Sequence, residues 1–215
     1  MSWSSGKDSA WALHVLRQTS QFEVVGLLTT VNSAADRVAM HAVRSELLQA
    51  QASALGLPLH AVGIPQPCSN EQYEAAMAAA VARAVADGVT AMAFGDLFLE
   101  DIRSYRVEKL AGTGIEPVFP IWGIPTARLA RQMIESGLRA RLTCVDKAQL
   151  SERFVGREFD QSLLDELPHT VDPCGERGEF HTFAYDGPMF PSPVAIEAGE
   201  VVERDGFVFA DLRRA

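Results

Sequence analysis

Apolar runs alternate with amphipathic stretches through the first half of the chain, and that alternation sets an element order. The run Phe22-Glu23-Val24-Val25-Gly26-Leu27-Leu28-Thr29 reads as a buried strand, and residues 40–55 read as an amphipathic helix closed by Gly56. Residues 57–64 give a second strand, and 70–87 a helix stopped by Gly88. Residues 89–94 are strand-like, 104–111 helical, and 117–121 a last short strand. This βα alternation predicts an α/β fold with a mostly parallel sheet and helices on both faces.

The pattern changes after Gly123. Residues 126–135 suggest a helix ended by Gly137, 138–145 a strand-like run, and 161–167 a short helix. Short strands with Gly/Pro turns follow, and residues 199–209 read as a hairpin turning at Asp205-Gly206. These features predict a first domain over 1–123 and a smaller α+β domain over 124–215, packed over the ligand edge of the first.

Composition narrows the class. A chain of 215 residues with 47% hydrophobic and 22% charged residues can bury a large core, as expected of a soluble globular protein. A formal net charge of −9 argues against a broad, non-specific hold on nucleic acid, though it leaves room for a local basic patch. Cys68, Cys144 and Cys174 are odd in number and widely spaced, which fits a reducing, cytoplasmic setting better than a disulfide framework. No signal peptide is visible. The alanine-rich stretch 75–86 carries Arg83 and is too short to span a bilayer, so no membrane partner is expected.

Candidate chemistry is concentrated in two places. The first is the loop Ser2-Trp3-Ser4-Ser5-Gly6-Lys7-Asp8-Ser9, which runs straight into a helical pattern at Ala10. A Ser/Gly loop opening a helix gathers unpaired N–H groups at the positive end of the helix dipole, and so can hold an anion. Lys7 would add a mobile charge, and Ser4, Ser5 and Ser9 hydroxyls. The spacing is not that of the common G-x-x-x-x-G-K-[ST] loop. Ser5 and Asp8 also fit a capping box, but a box alone leaves Lys7 and the clustered serines unexplained.

In an open parallel sheet, ligands collect beyond the carboxyl ends of strands. Thr30, Asn32, Gly95 and Asp96 fall there, where Gly95 permits close backbone approach and Asp96 could accept from sugar hydroxyls or hold Mg²⁺. Thr30 and Asn32 read equally well as plain turn residues. The second cluster is Asp172-Pro173-Cys174-Gly175-Glu176-Arg177-Gly178-Glu179-Phe180-His181-Thr182, which could bind an ammonium, a metal or a cationic substrate, or be a solvated acidic turn. Cys174 and His181 lack partners at zinc spacing, and no base stands fixed beside Cys174 to make it a nucleophile.

Ser4-Ser5-Gly6-Lys7-Asp8-Ser9 resembles the S-G-G-x-D-S loop of the PP-loop ATP pyrophosphatases, with Ser5 where that family usually has glycine. A side chain there is tolerable only if the residue needs no positive φ. The loop would normally follow a buried strand, and almost no sequence precedes it, so that strand is expected to be missing or replaced. Gly95-Asp96, then Arg103-x-Tyr105-Arg106-x-Glu108, Pro120-Ile121-Trp122-Gly123 and the 174–182 segment followed by Asp186-Gly187-Pro188 extend the likeness. In this order the motifs resemble the diphthine–ammonia ligase family over essentially the whole chain.

The resemblance implies a Rossmann-like α/β/α sandwich of the adenine nucleotide alpha-hydrolase (HUP) type. It also implies a ligase that adenylates a carboxylate with ATP, releases pyrophosphate and amidates the product with ammonia. By that resemblance Ser4, Ser5, Gly6, Lys7 and Ser9 would bind phosphates, with Asp8 acting through Mg²⁺, and Thr30, Gly95 and Asp96 would meet the rest of the nucleotide. Arg106 would hold a phosphate or the substrate carboxylate, or else pair with Glu108 or another acid. Glu176, Glu179 and His181, with Gly175, Gly178 and Thr182, would shape the acceptor or ammonia site, His181 exchanging protons near neutral pH. The family's acceptor is a modified histidine on a translation elongation factor. The acceptor here is left open, as is a homodimer. Two rivals remain: a tRNA-modifying PP-loop enzyme, which would want a basic face and paired cysteines, and a module that binds ATP or AMP without turnover.

Overall fold

The computed structural model describes residues 1–32, 37–38, 43–65 and 67–215. In chain order the main elements are α1 (Lys7–Gln18), β1 (Leu27–Asn32), β2 (Arg37–Val38), α2 (Ser45–Leu55), β3 (Leu59–Ile64), α3 (Asn70–Ala86), β4 (Ala91–Ala93) and α4 (Glu100–Leu110). There follow β5 (Glu116–Val118), α5 (Thr126–Glu135), β6 (Arg139–Asp146), α6 (Gln161–Glu166), β7 (Phe180–Asp186), β8 (Ile196–Arg204) and β9 (Phe207–Arg214). β1 pairs in parallel with β3 and antiparallel with β2, and β4 pairs in parallel with β5. The later strands form an antiparallel sheet in the order β7-β6-β9-β8. The fold is thus α/β, with a separate four-stranded antiparallel sheet after the parallel pairs.

Local chemistry accounts for many of the boundaries. Ser69 and Gln72 form a reciprocal capping box at the start of α3. Gly56 takes a left-handed φ of 67° at the end of α2, where its N–H caps the last carbonyls. α4 begins at Glu100, four residues before the predicted start, and its acidic first turn (Glu100, Asp101) suits the positive end of the helix dipole. In the β8–β9 hairpin Asp205 and Gly206 have φ of 53° and 84°, the paired positive values of a type I′ turn. For the helix predicted over 40–55, residues 40–42 lie outside the described residues.

Two expectations change. The first strand was read as 22–29 but is Leu27–Asn32, because pairing begins only where a partner lies alongside: Leu27 N–H donates to Pro58 O (2.9 Å) and Leu28 N–H to Met1 O (2.8 Å). The strand expected to be missing ahead of the Ser/Gly loop is supplied in miniature by residues 1–3. Ser2 N–H bonds Ala93 O (2.9 Å) and Trp3 N–H bonds Leu28 O (2.7 Å), so this segment is hydrogen-bonded to β1 on one side and β4 on the other. Trp3 is buried beside α2 and anchors the segment.

One apolar cluster runs through both halves of the chain. Trp3, Leu13, Leu27 and Leu47 share it with Leu129, Leu142, Phe154, Phe180 and Phe183. The cluster draws residues from both sides of Gly123 into one core. Among the described residues no helix is long and apolar enough to cross a membrane.

Candidate active site

The amino-terminal loop and the acidic segment before β7 meet at the start of α1. Gly6 is the N-cap of α1 and has no side-chain cap of its own, so the predicted Ser5–Asp8 capping box is not formed. The first-turn amide of Lys7 donates instead to Thr182 Oγ1 (3.1 Å), from β7. A hydroxyl that accepts this bond still has its own proton to donate. Ser9 Oγ donates to Gly6 O (3.0 Å) and lies 3.1 Å from Ser4 Oγ, tying the two ends of the loop together.

Ser5 has a φ of 68°, which overturns the expectation that this position avoids positive φ. It is fully buried, and its Oγ has no hydrogen-bond partner. A left-handed residue with a Cβ carries strain of about 1–2 kcal/mol. Ser5→Gly is accordingly expected to stabilise the fold by about 1 kcal/mol, because relief of that strain outweighs glycine's extra freedom in the unfolded chain. Urea denaturation measures it, and a lower midpoint in the variant would contradict the strain.

Lys7 is buried rather than mobile. Its ammonium donates to Asp8 Oδ2 (2.9 Å) and to the carbonyl of Cys174, and stands 5.3 Å from the ring centres of Phe159 and Phe180. Burial works against the charge, but the carboxylates of Asp8 and Glu176 outweigh it, and the Lys7 pKa ends up raised. Asp8 is also raised, by burial first and by nearby Asp172, against the pull of Lys7. Its second oxygen, Oδ1, is buried without a partner. Lys7 thus reaches across from the amino-terminal loop into the acidic segment and joins them.

The acidic segment is organised by its own carboxylates. Asp172 accepts from Cys174 N–H (2.9 Å) and Glu176 N–H (3.3 Å) with Oδ1, and from the Thr126 hydroxyl (2.6 Å) with Oδ2. Glu179, almost wholly buried, accepts from the backbone of Asp172 (2.8 Å) and Arg177 (2.9 Å). Gly175 and Gly178 have positive φ, and at Gly175 a Cβ would come within 2.8 Å of Phe180 O. Glu179, Gly175 and Gly178 thus all take part in shaping this turn.

Glu176 is the carboxylate left at the junction. Its Oε1 accepts from Leu97 N–H (2.8 Å). Burial lifts its pKa to about 7; the Leu97 amide opposes the rise, and Asp8 adds to it. His181 sits on β7 opposite Cys144, and burial, then the Lys7 charge, lowers its pKa to about 4. An imidazole of that basicity is neutral near pH 7. Burial drives the Cys174 thiol far up, which removes it as a nucleophile.

At the end of β4, Gly95 is needed for packing. A Cβ there would lie 2.9 Å from the Asp8 carbonyl carbon and the Ser9 nitrogen, so the glycine lets α1 start against the strand end. Asp96 is engaged by Arg106 through two bonds (Nε–Oδ2 2.5 Å, Nη2–Oδ1 3.1 Å), while the guanidinium stacks 4.5 Å from the Phe94 ring centre. Arg106 thus pairs with Asp96 and not with Glu108. Arg103 stacks on Phe119 (5.3 Å) and Trp122 (4.8 Å). Thr30 lies within β1, and it is its neighbour Thr29 whose buried Oγ1 lacks a partner.

With this junction in view, two family models match: the diphthamide synthase N-terminal domain over residues 1–114 and the diphthamide synthase C-terminal domain over residues 125–215. The chain belongs to the diphthamide synthase family. It is 31% identical over 120 residues to the diphthine–ammonia ligase of Homo sapiens, covering 53% of this chain and 45% of that protein. With the Danio rerio diphthine–ammonia ligase it shares 33% identity over 132 residues, covering 59% of this chain and 50% of the other. The Schizosaccharomyces pombe diphthine–ammonia ligase is 30% identical over 103 residues, which cover 46% of this chain and 17% of that protein. The chain thus spans half or less of the length of these relatives.

Some residues that build this family member's site were not apparent as site residues. Thr126 holds Asp172 of the acidic turn, the Leu97 amide holds Glu176, and Gln51 holds the Ser5 carbonyl (3.0 Å). Gln51 did carry a signal: with Leu47 and Leu55 it makes a four-residue spacing on the buried face of α2, where a polar side chain is out of place. Leu97 carried none, because only its backbone acts.

Proposed function

We propose that this chain is an ATP-dependent amide-forming ligase, of the reaction type named for its relatives. The observation that carries the reading is the junction of Lys7 with Cys174 O, and of Thr182 with the Lys7 amide, which sets an acidic turn against an anion-binding helix start. In this reading the parallel strands joined through residues 1–3 are the core of a Rossmann-like nucleotide domain. Gly6, the hydroxyls of Ser4, Ser5 and Ser9, and the start of α1 receive the phosphates. The orphaned hydroxyl of Ser5 and the free oxygen of Asp8 suit a polyphosphate and its counter-ion, with Asp8 Oδ1 the carboxylate oxygen open to Mg²⁺. Bound Mg²⁺ would neutralise phosphate charge.

An acceptor carboxylate oxygen attacks the α-phosphorus, the bond from that phosphorus to the bridging oxygen breaks, and pyrophosphate leaves. Ammonia then attacks the acyl carbon, AMP departs with the bonding pair, and the surplus ammonium proton passes to Glu176, whose pKa of about 7 suits that exchange. Lys7 fixes the two loops so that the reacting groups meet in one geometry. A diphthine-bearing elongation factor is the first acceptor to try, and the cytoplasm is the compartment that the free cysteines favour.

Incubation of the protein with ATP, Mg²⁺, ammonium and that acceptor is expected to yield AMP, pyrophosphate and an amide one mass unit lighter than the acid, read by mass spectrometry. Release of ADP and phosphate instead would reject the ligase reading.

A further inference from the structure

Gln51 lies on α2, outside both motif segments, and is fully buried. Its amide joins three elements. Oε1 accepts from Trp3 Nε1 (2.9 Å), and Nε2 donates to Ser5 O (3.0 Å) and to Ala184 O on β7 (2.5 Å). An indole N–H can only donate, so Trp3 decides which end of the Gln51 amide is oxygen, and both protons of the nitrogen then fall on the two carbonyls. Ser5 O receives a second bond from Ala184 N–H (2.9 Å).

These bonds turn the Ser5 carbonyl inward. Across a trans peptide the C=O and the following N–H point in opposite directions, so the Gly6 N–H is aimed the other way, toward the start of α1, where it makes a long bond to Ser4 Oγ (3.3 Å) that a phosphate oxygen would replace or share. Reversal of this peptide would set a carbonyl dipole against any anion at the helix start. The residue on its near side, Ser5, is the strained one, with a φ of 68° that persists only where its surroundings over-determine it. We propose that Gln51 is a positioning residue for anion recognition, locking the Ser5–Gly6 peptide in the orientation that offers the Gly6 N–H to a phosphate. The proposal rests on the nucleotide reading above.

The test is pyrophosphate affinity of the full chain by calorimetry, with folding followed by circular dichroism. Gln51→Leu is expected to weaken pyrophosphate binding about 10–50-fold, the loss of one or two charge-assisted contacts. In a Ser5→Gly background, whose own affinity is then the reference, Gln51→Leu should cost far less, because glycine holds a positive φ without help; a side chain that merely fills the core would cost the same in both backgrounds. Should Gln51→Leu fail to fold, Trp3→Phe removes the indole N–H that orients the amide while keeping an aromatic ring, and should weaken binding about 3–10-fold. Unchanged affinity in the folded variant, or a loss just as large in the Ser5→Gly background, overturns the proposal. A wild-type protein that binds no pyrophosphate removes the nucleotide reading first, and this one with it.

Discussion

Lys7→Met is expected to destabilise the protein by about 3–5 kcal/mol, the loss seen when one partner of a buried ion pair is removed and the other charge stays behind. The variant keeps most of the side-chain volume but strands Asp8, whose remaining oxygen already lacks a partner. It also cuts the tie to Cys174 O, so the acidic turn loses its hold on the amino-terminal loop. The deficit should depend on pH with a definite sign. Without the lysine the folded-state pKa of Asp8 rises further above its unfolded value of 3.8. A raised carboxyl contributes stability that is complete below the unfolded pKa and lost as pH rises, so the deficit should be smallest in acid and largest at neutral pH. Lys7→Met/Asp8→Asn should recover much of the stability, since no buried charge is left alone. Urea titrations of the three proteins at acid and neutral pH measure all of this. A single variant as stable as the wild type at neutral pH would show that the pair is not buried in solution.

Glu176→Gln is expected to lower amide formation about 10²–10⁴-fold, the usual contribution of a positioned proton acceptor. ATP affinity should stay within a few-fold, because the amide oxygen can still accept from Leu97 N–H. In the wild type the rate should rise with pH through an apparent pKa of about 7, and the variant should lose that limb. A raised folded-state pKa also means that the Glu176 contribution to stability is complete below 4.5 and lost as pH climbs to about 7. The variant should therefore gain on the wild type in melting temperature across that interval. Equal losses in ATP affinity and product formation would instead assign Glu176 to the nucleotide.

The comparison of Glu176 with Glu179 and His181 marks how far the sequence reached into the site. All three stand in one acidic, glycine-rich segment, and nothing in their spacing separates them. Burial and backbone geometry do. Glu179 is spent on two amides of its own turn, and His181 is held neutral on a strand beside a buried ammonium. Only Glu176 is left at the junction with its pKa shifted into the working range. Asp96 and Arg106 make the same point: the sequence leaves open whether Arg106 holds a ligand or pairs with an acid, and the fold brings it to Asp96.

Local patterning determined the elements themselves. Apolar periodicity placed α5 at Thr126–Glu135, while Gly56 and the Asp205-Gly206 turn marked a helix end and a hairpin. The reason is that helix periods, C-caps and type I′ turns depend on interactions within a few residues of chain. The motif order likewise carried the family, since that is a property of the chain alone. Tertiary structure decided what lies beyond the reach of neighbouring residues. Residues 1–3 act as a strand because Leu28 and Ala93 lie on either side of them. Ser5 stays at positive φ because Gln51 and Ala184 hold its carbonyl. Lys7 is a buried tie between two loops, and not a mobile charge, because the Cys174 carbonyl and the rings of Phe159 and Phe180 close over it from the far half of the chain.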